Sequence, residues 1–263
     1  MSRGKPSLKQ YHNLGELVAE FGRMCDYITK LKYDVVRQTG VDFHSTDVRL
    51  VALDGIQQGL LPCGWWMNAA MTLERQIQER FPDAWEEKFL AGIGAGKGAY
   101  EGDPRRFEKI GNVMMDYLRL SVAVTLAFRI ENMFAQLLKE LGETSPMQFG
   151  RVLDALLTKL QLAGRMDIEA PLRALAAVRN SLHNNGIHRA VDCGWTVDGE
   201  AFEFRKGQRV TCASWSHLVL LFDASVRSIQ TILSTPPVSD LKRLIPDEFA
   251  AYPKGSENGS PES

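Results

Sequence analysis

The sequence predicts an all-α fold, a helical bundle with one small β-hairpin insertion, preceded by a helical N-terminal region. Three observations predict it. Apolar residues recur every three or four positions along most of the chain, which is the period of a helix that buries one face. Helix punctuation (a capping side chain before a segment, glycine or proline after it) brackets these stretches. Period-two alternation with turn signals is confined to one short segment between residues 195 and 210. On this reading, residues 10–100 form a helical N-terminal region of unassigned role, residues 103–235 the bundle, and residues 246–263 a disordered tail.

Each element has its own local reason. Asn13 and Glu16 form a capping-box pattern, and Leu14, Val18, Phe21, Met24, Ile28, Leu31 and Val35 follow at helical spacing up to Gly40. A second segment runs from about Thr46 and is expected to end at Pro62, because proline lacks the N–H that a helix interior uses. A third runs from Trp65 to about Phe81, and Asp83 with Glu86 caps a short helix through Leu90. Asp103-Pro104 supplies an N-cap and first residue for a long helical segment that reaches Leu141, with Gly111 as an interruption. From Leu118 to Phe128 that segment is apolar nearly all round, as a central buried helix is. Ser145-Pro146 opens the next helix, and Asp167 caps the one after. The Asp-Gly and Lys-Gly turn signals of residues 195–210 mark the hairpin. Ser214 caps a final helix that ends before Pro236-Pro237.

The composition narrows the function. Basic and acidic residues number 31 and 32, so no global field draws the chain to nucleic acid or membrane, and an RNA contact has to use local clusters. The four cysteines show no C-x-x-C spacing, which argues against a disulfide framework or zinc site and for a reducing, cytoplasmic setting. No H-E-x-x-H or Cys/His cluster argues for a metal, and no cofactor is expected. The N-terminus has no apolar signal segment, and the most apolar run is too short to span a bilayer and contains Arg119. The glycine-rich stretch 91–102 contains Gly96-Lys97 but fails the phosphate-loop template twice. Ala91 stands where the first glycine belongs, and Gly98 replaces the magnesium-binding hydroxyl. It is read as a flexible loop or hinge.

Potential chemistry concentrates at the end of the segment 170–186, in Arg179-Asn180-Ser181-Leu182-His183-Asn184-Asn185-Gly186. At about 100° per residue, Leu172, Leu175, Val178 and Leu182 share one core-facing stripe. Arg179 falls at the edge of this stripe with His183 just beyond it, while Arg173 points away and reads as ordinary surface. A guanidinium at a groove matches two phosphate oxygens at once. An imidazole beside it can take a proton from a ribose 2′-hydroxyl or give one to a leaving oxygen, with the arginine stabilising the transition state. Asn180 and Asn184 could position a backbone or base edge, and Glu131 could orient Arg179. Equally, Asn-Asn-Gly is a good helix C-cap, and a histidine in the last turn complements the helix dipole.

The layout resembles the HEPN superfamily. The residues that carry the resemblance are Ile130-Glu131-Asn132 on a central helix, the 146–163 helix, Arg179-Asn180 followed by His183, and the closing 214–233 helix. The resemblance covers residues 103–235 and implies an all-α bundle. It further implies a metal-independent endoribonuclease in a toxin–antitoxin or phage-defence setting, or a relative that binds RNA or proteins without catalysis. A homodimer with a composite site and a cognate antitoxin or regulatory protein are the partners it implies. Arg179 and His183 would then be the catalytic pair. The gap between them is three residues, shorter than the family's usual one, and His188 beyond the cap is the other candidate histidine.

Elsewhere, His12, His44 and His217 are isolated. Arg205, Lys206 and Arg209 crowd the hairpin turn beside Phe204, and Arg105, Arg106 and Lys109 crowd a helix start. Either cluster is a solvated face or a track for an RNA backbone, and the hairpin cluster directly follows the Arg–His segment.

Overall fold

The structure, a computed structural model, describes residues 8–11, 13–93 and 103–248. Most of the glycine-rich stretch, His12 and residues 249–263 lie outside the described residues. The described chain forms α1 (Leu14–Thr39), α2 (Val48–Arg80), α3 (Trp85–Gly92), α4 (Arg106–Glu140), α5 (Phe149–Lys159) and α6 (Met166–His183), then the strands β1 (Cys193–Val197) and β2 (Glu200–Phe204), and finally α7 (Trp215–Ser234). It is mostly helical, with one two-stranded antiparallel sheet.

Local signals explain several boundaries. The Asn13 side chain accepts from the Glu16 N–H at 3.0 Å and so closes the first turn of α1. Gly40, at φ 75°, ends it in the left-handed conformation, where a side chain would be strained. Ser214 Oγ accepts from the His217 N–H at the start of α7. Asp198 and Gly199 both take positive φ at the hairpin turn, which matches the twist of the paired strands.

Other boundaries fall elsewhere than the sequence suggests. Pro62 does not end a helix, because α2 runs through it as one element. Pro62 and Gln58, whose carbonyl loses its partner, are both exposed, so water can replace the missing hydrogen bond. The opposite face buries Leu60, Cys63, Gly64 and Met67, and this packing outweighs the roughly 3 kcal/mol proline penalty. Gly111 likewise leaves α4 unbroken. Asp83 caps nothing, since α3 starts at Trp85 without a side-chain cap. Asp103 closes a turn onto the Arg105 N–H before α4 instead of capping it.

α1 and α2 pack antiparallel, with Gln57 Nε2 donating to the Cys25 carbonyl at 2.8 Å and Lys32 bonded to Asp54. α4 packs antiparallel along the other side of α2, with Gly59 against Thr125 and Gly55 under Arg129. α7 lies beside α1 and α6, and Phe21 meets Trp215 edge-on. Buried residues of α1, α2, α4, α5, α6, α7 and the hairpin form a single continuous apolar core. A small satellite cluster of Phe89, Leu90 and Ile110 joins α3 to α4.

Residues 238–248 close the fold. Asp47 and Arg49, 0 % and 1 % exposed, form a bidentate pair at 2.8 Å under this segment. Arg49 also donates to the carbonyls of Leu241 and Arg243, each at 3.0 Å, and Asp47 accepts from the Ile245 N–H at 3.0 Å. Residues 246–248, expected to open a loose tail, are therefore held in place. The Asp247 N–H donates to the Thr46 carbonyl, and Asn132 Nδ2 donates to Asp247 Oδ1 at 3.0 Å. Backbone groups paired in this way do not fray.

Candidate functional site

α6 presents its buried residues, among them Leu172, Leu175 and Val178, to the core. The edge of that face carries Arg179, half-buried, whose Nη2 donates to Glu131 Oε2 of α4 at 3.0 Å. Arg179 Nε is buried without a partner. The helix ends as the Asn-Asn-Gly signal dictates. Asn185 and Gly186 adopt positive φ, and the Gly186 N–H donates back to the Ser181 carbonyl at 2.9 Å. Asn184 Nδ2 donates to the Asn180 carbonyl at 2.7 Å.

Arg179 lines an open cleft of about 690 Å³ between α4, α5, α6 and β1. Glu131, Asn180 and Asn184 line it as well. Three arginines, Arg173, Arg179 and Arg189, line it together with Glu131. Phe149 and the half-buried Trp195 give it aromatic walls. Arg173 was expected on plain surface. It is instead pinned at the wall by Glu169 at 2.6 Å and by Asp154. The ridge 173–177–180–184 was the signal for it, because those residues lie above one another on the helix. Trp195 had no such signal, since nothing local folds the hairpin back onto α6.

The two histidines have different surroundings. His183 is exposed, does not line the cleft, and has no polar partner among the described residues. Helical phase puts it on the Arg179–Asn180 side of α6, so it sits at the margin of the cleft. His188 lines the cleft but is buried, and its ring is engaged on both sides. Ser181 Oγ donates its one proton to the Ala177 carbonyl at 2.8 Å and lies 3.3 Å from His188 Nδ1. His188 Nε2 lies 2.9 Å from the Val191 carbonyl. His188 thus braces the turn after α6, with both ring nitrogens held inside the protein.

Cys193 Sγ lies 3.9 Å from His188 Nε2 in the same cleft. Burial and the neighbouring Asp192 push its thiol up, which is the reverse of what a nucleophilic cysteine needs. His217 is held against Phe202 and Ser214, and burial pushes its pKa down despite the Glu200 carboxylate.

The basic cluster of the hairpin divides. Arg205 pairs with Asp192 and Glu203, each at 3.5 Å, and the Lys206 N–H donates to Asp192 Oδ1 at 2.8 Å. Arg209 faces a different cleft on the other side of the α6 terminus. Among the described residues no group of His, Cys, Asp and Glu side chains is arranged to hold a metal ion, and no helix is long and apolar enough to cross a membrane. Comparison of the chain with protein-family models, curated proteins and solved structures finds no match.

Proposed function

We propose that this is a HEPN-like protein that acts on RNA, binding single-stranded RNA in the Arg179 cleft. The observation that carries this reading is the composition of that cleft. Guanidinium groups match phosphate oxygens bidentately, and aromatic faces such as Trp195 accept a stacked base whatever its identity. Glu131 holds Arg179 in orientation, and Asn180 and Asn184 offer polar groups at the rim. In this reading the protein is an RNA-binding or interaction scaffold, and a homodimer or an antitoxin-like partner would use the same bundle.

A second reading, metal-independent RNA cleavage, is favoured by the exposed, unpartnered ring of His183. Its imidazole would take the 2′-hydroxyl proton as the 2′-oxygen bonds to phosphorus, and return it to the 5′-oxygen as the P–5′-O bond breaks, while Arg179 stabilises charge on the phosphorane-like transition state. Because His183 stands at the cleft margin, the reaction would join His183 of one protomer to the Arg179 cleft of a second copy, as a toxin–antitoxin or phage-defence nuclease would.

Binding of labelled single-stranded RNA, measured in EDTA, tests both readings. Arg179→Ala should weaken binding roughly tenfold or more, the loss expected for a charge-assisted contact. Trp195→Ala should weaken it on every sequence tried. Binding unchanged in both variants would refute the cleft assignment. Cleavage that disappears in His183→Ala while binding persists would establish the enzyme.

A further inference from the structure

The second cleft has about 520 Å³ and lies between α4, the turn after α6, and the segment joining β2 to α7. Two arginines from separate parts of the chain meet there. Arg119 of α4 is half-buried. Its Nη1 donates to the Ala213 carbonyl at 3.2 Å, its Nη2 pairs with Asp116, and its Nε is buried without a partner. Arg209 arrives from the other side on a backbone fixed to the α6 turn, where the Val210 N–H donates to the Gly186 carbonyl at 2.8 Å. The Arg209 side chain crosses that turn at Gly186, where a Cβ would lie 3.7 Å from Arg209 Nε. Among the described residues no carboxylate pairs with Arg209.

Burial, with a smaller contribution from the Arg209 guanidinium across the same cleft, holds the Arg119 pKa below its usual value. An anion between the two guanidinium groups offsets their repulsion and supplies acceptors to the donors. The rest of the lining suits a nucleotide. Tyr117 stands 69 % exposed at the edge with a free ring face, while Asn185 and Thr211 offer polar groups.

We propose that this second cleft binds the phosphate group of a nucleotide, with Arg119 and Arg209 closing on the anion from two sides and Tyr117 stacking on the base. The site is separate from the Arg179 cleft. Asn180 and Asn184 form the wall of one, and Leu182, Asn185 and Gly186 the wall of the other.

Calorimetric titration of the full chain tests the proposal with three probes: inorganic pyrophosphate, a ribonucleoside monophosphate and a short oligoribonucleotide. Arg209 is exposed, so Arg209→Glu leaves the fold intact, and a matching thermal melt verifies it. Measured in an Arg179→Ala background, which removes the first cleft's phosphate contact, Arg209→Glu should weaken pyrophosphate and the mononucleotide roughly tenfold or more. Tyr117→Ala should weaken the mononucleotide but not pyrophosphate. Equal binding by Arg179→Ala with and without Arg209→Glu, or no binding of any probe to wild type, overturns the site. Pyrophosphate binding with no effect of Tyr117→Ala on the nucleotide overturns the nucleotide assignment. Loss of oligonucleotide binding in Arg179→Ala with mononucleotide binding retained would support two separate sites.

Discussion

At the scale of single residues, the Arg179–Glu131 pair sets the balance of the candidate site. Both side chains are about one quarter exposed, so the pair contributes little to stability, about 0–1 kcal/mol. Its effect on ligands is larger, because Glu131 competes with any phosphate for the same guanidinium. Glu131→Gln should therefore strengthen RNA binding several-fold and flatten the dependence of affinity on salt less than Arg179→Ala does, with a melting temperature within a few degrees of wild type. Weaker binding in Glu131→Gln would mean that Glu131 positions Arg179 more than it blocks it.

The Arg179–Glu131 contact was open to a reader of the sequence, because helical phase places Arg179 at the edge of a packed stripe. The contacts of His188 and Asn132 were not. The His188 brace depends on Ser181 and the Val191 carbonyl meeting its two ring nitrogens, and Asn132 is engaged by Asp247, 115 residues away. Neither relation has a local periodicity to betray it.

At the scale of elements, the crossing of α2 and α4 rests on two glycines one turn apart. A Cβ on Gly55 would stand 2.3 Å from Arg129 Nε, and one on Gly59 would stand 3.2 Å from Thr125 Cγ2. Arg129 can swing aside, but Thr125 is β-branched and stiff. Gly59→Val should destabilise the protein by about 1–3 kcal/mol through overpacking, as read in a denaturant melt. Gly55→Ala should cost less, because the helix propensity gained offsets part of the displacement of Arg129. In the sequence these glycines look like weak points of a helix, and Pro62 looks like its end. Both features belong to a continuous helix because α1 and α4 grip it from two sides, and periodicity within one segment cannot show what lies across from it. The hairpin and the capped termini of α1 and α7 were legible because their signals are local: a two-residue turn with positive φ, and side chains that accept N–H groups three residues on.

At the scale of the molecule, the buried Asp47–Arg49 pair ties the start of α2 to residues 241–245. Removing one member leaves an uncompensated charge in the core. Arg49→Ala should therefore cost about 3–5 kcal/mol, and limited proteolysis should then cut near residues 238–248 before any other described segment. Loss of stability without local cleavage would show that the pair supports α2 alone. The sequence pattern suggested a bundle with a separate helical region before it. One apolar core joins α1 and α2 to α4, α5, α6 and α7, with α3 in its own small cluster, and its closing piece is a non-helical stretch that no hydrophobic period marks.

That closing piece has a consequence for how the chain is made. Asp47 waits for the amide of Ile245, 198 residues later. At ordinary translation speeds that interval is on the order of ten seconds or more. Once α2 has been made it can pair with α1, yet the ion pair at the mouth of α2 still lacks the segment that covers it. The first helix pair thus waits for its lock until residues 241–245 follow α7.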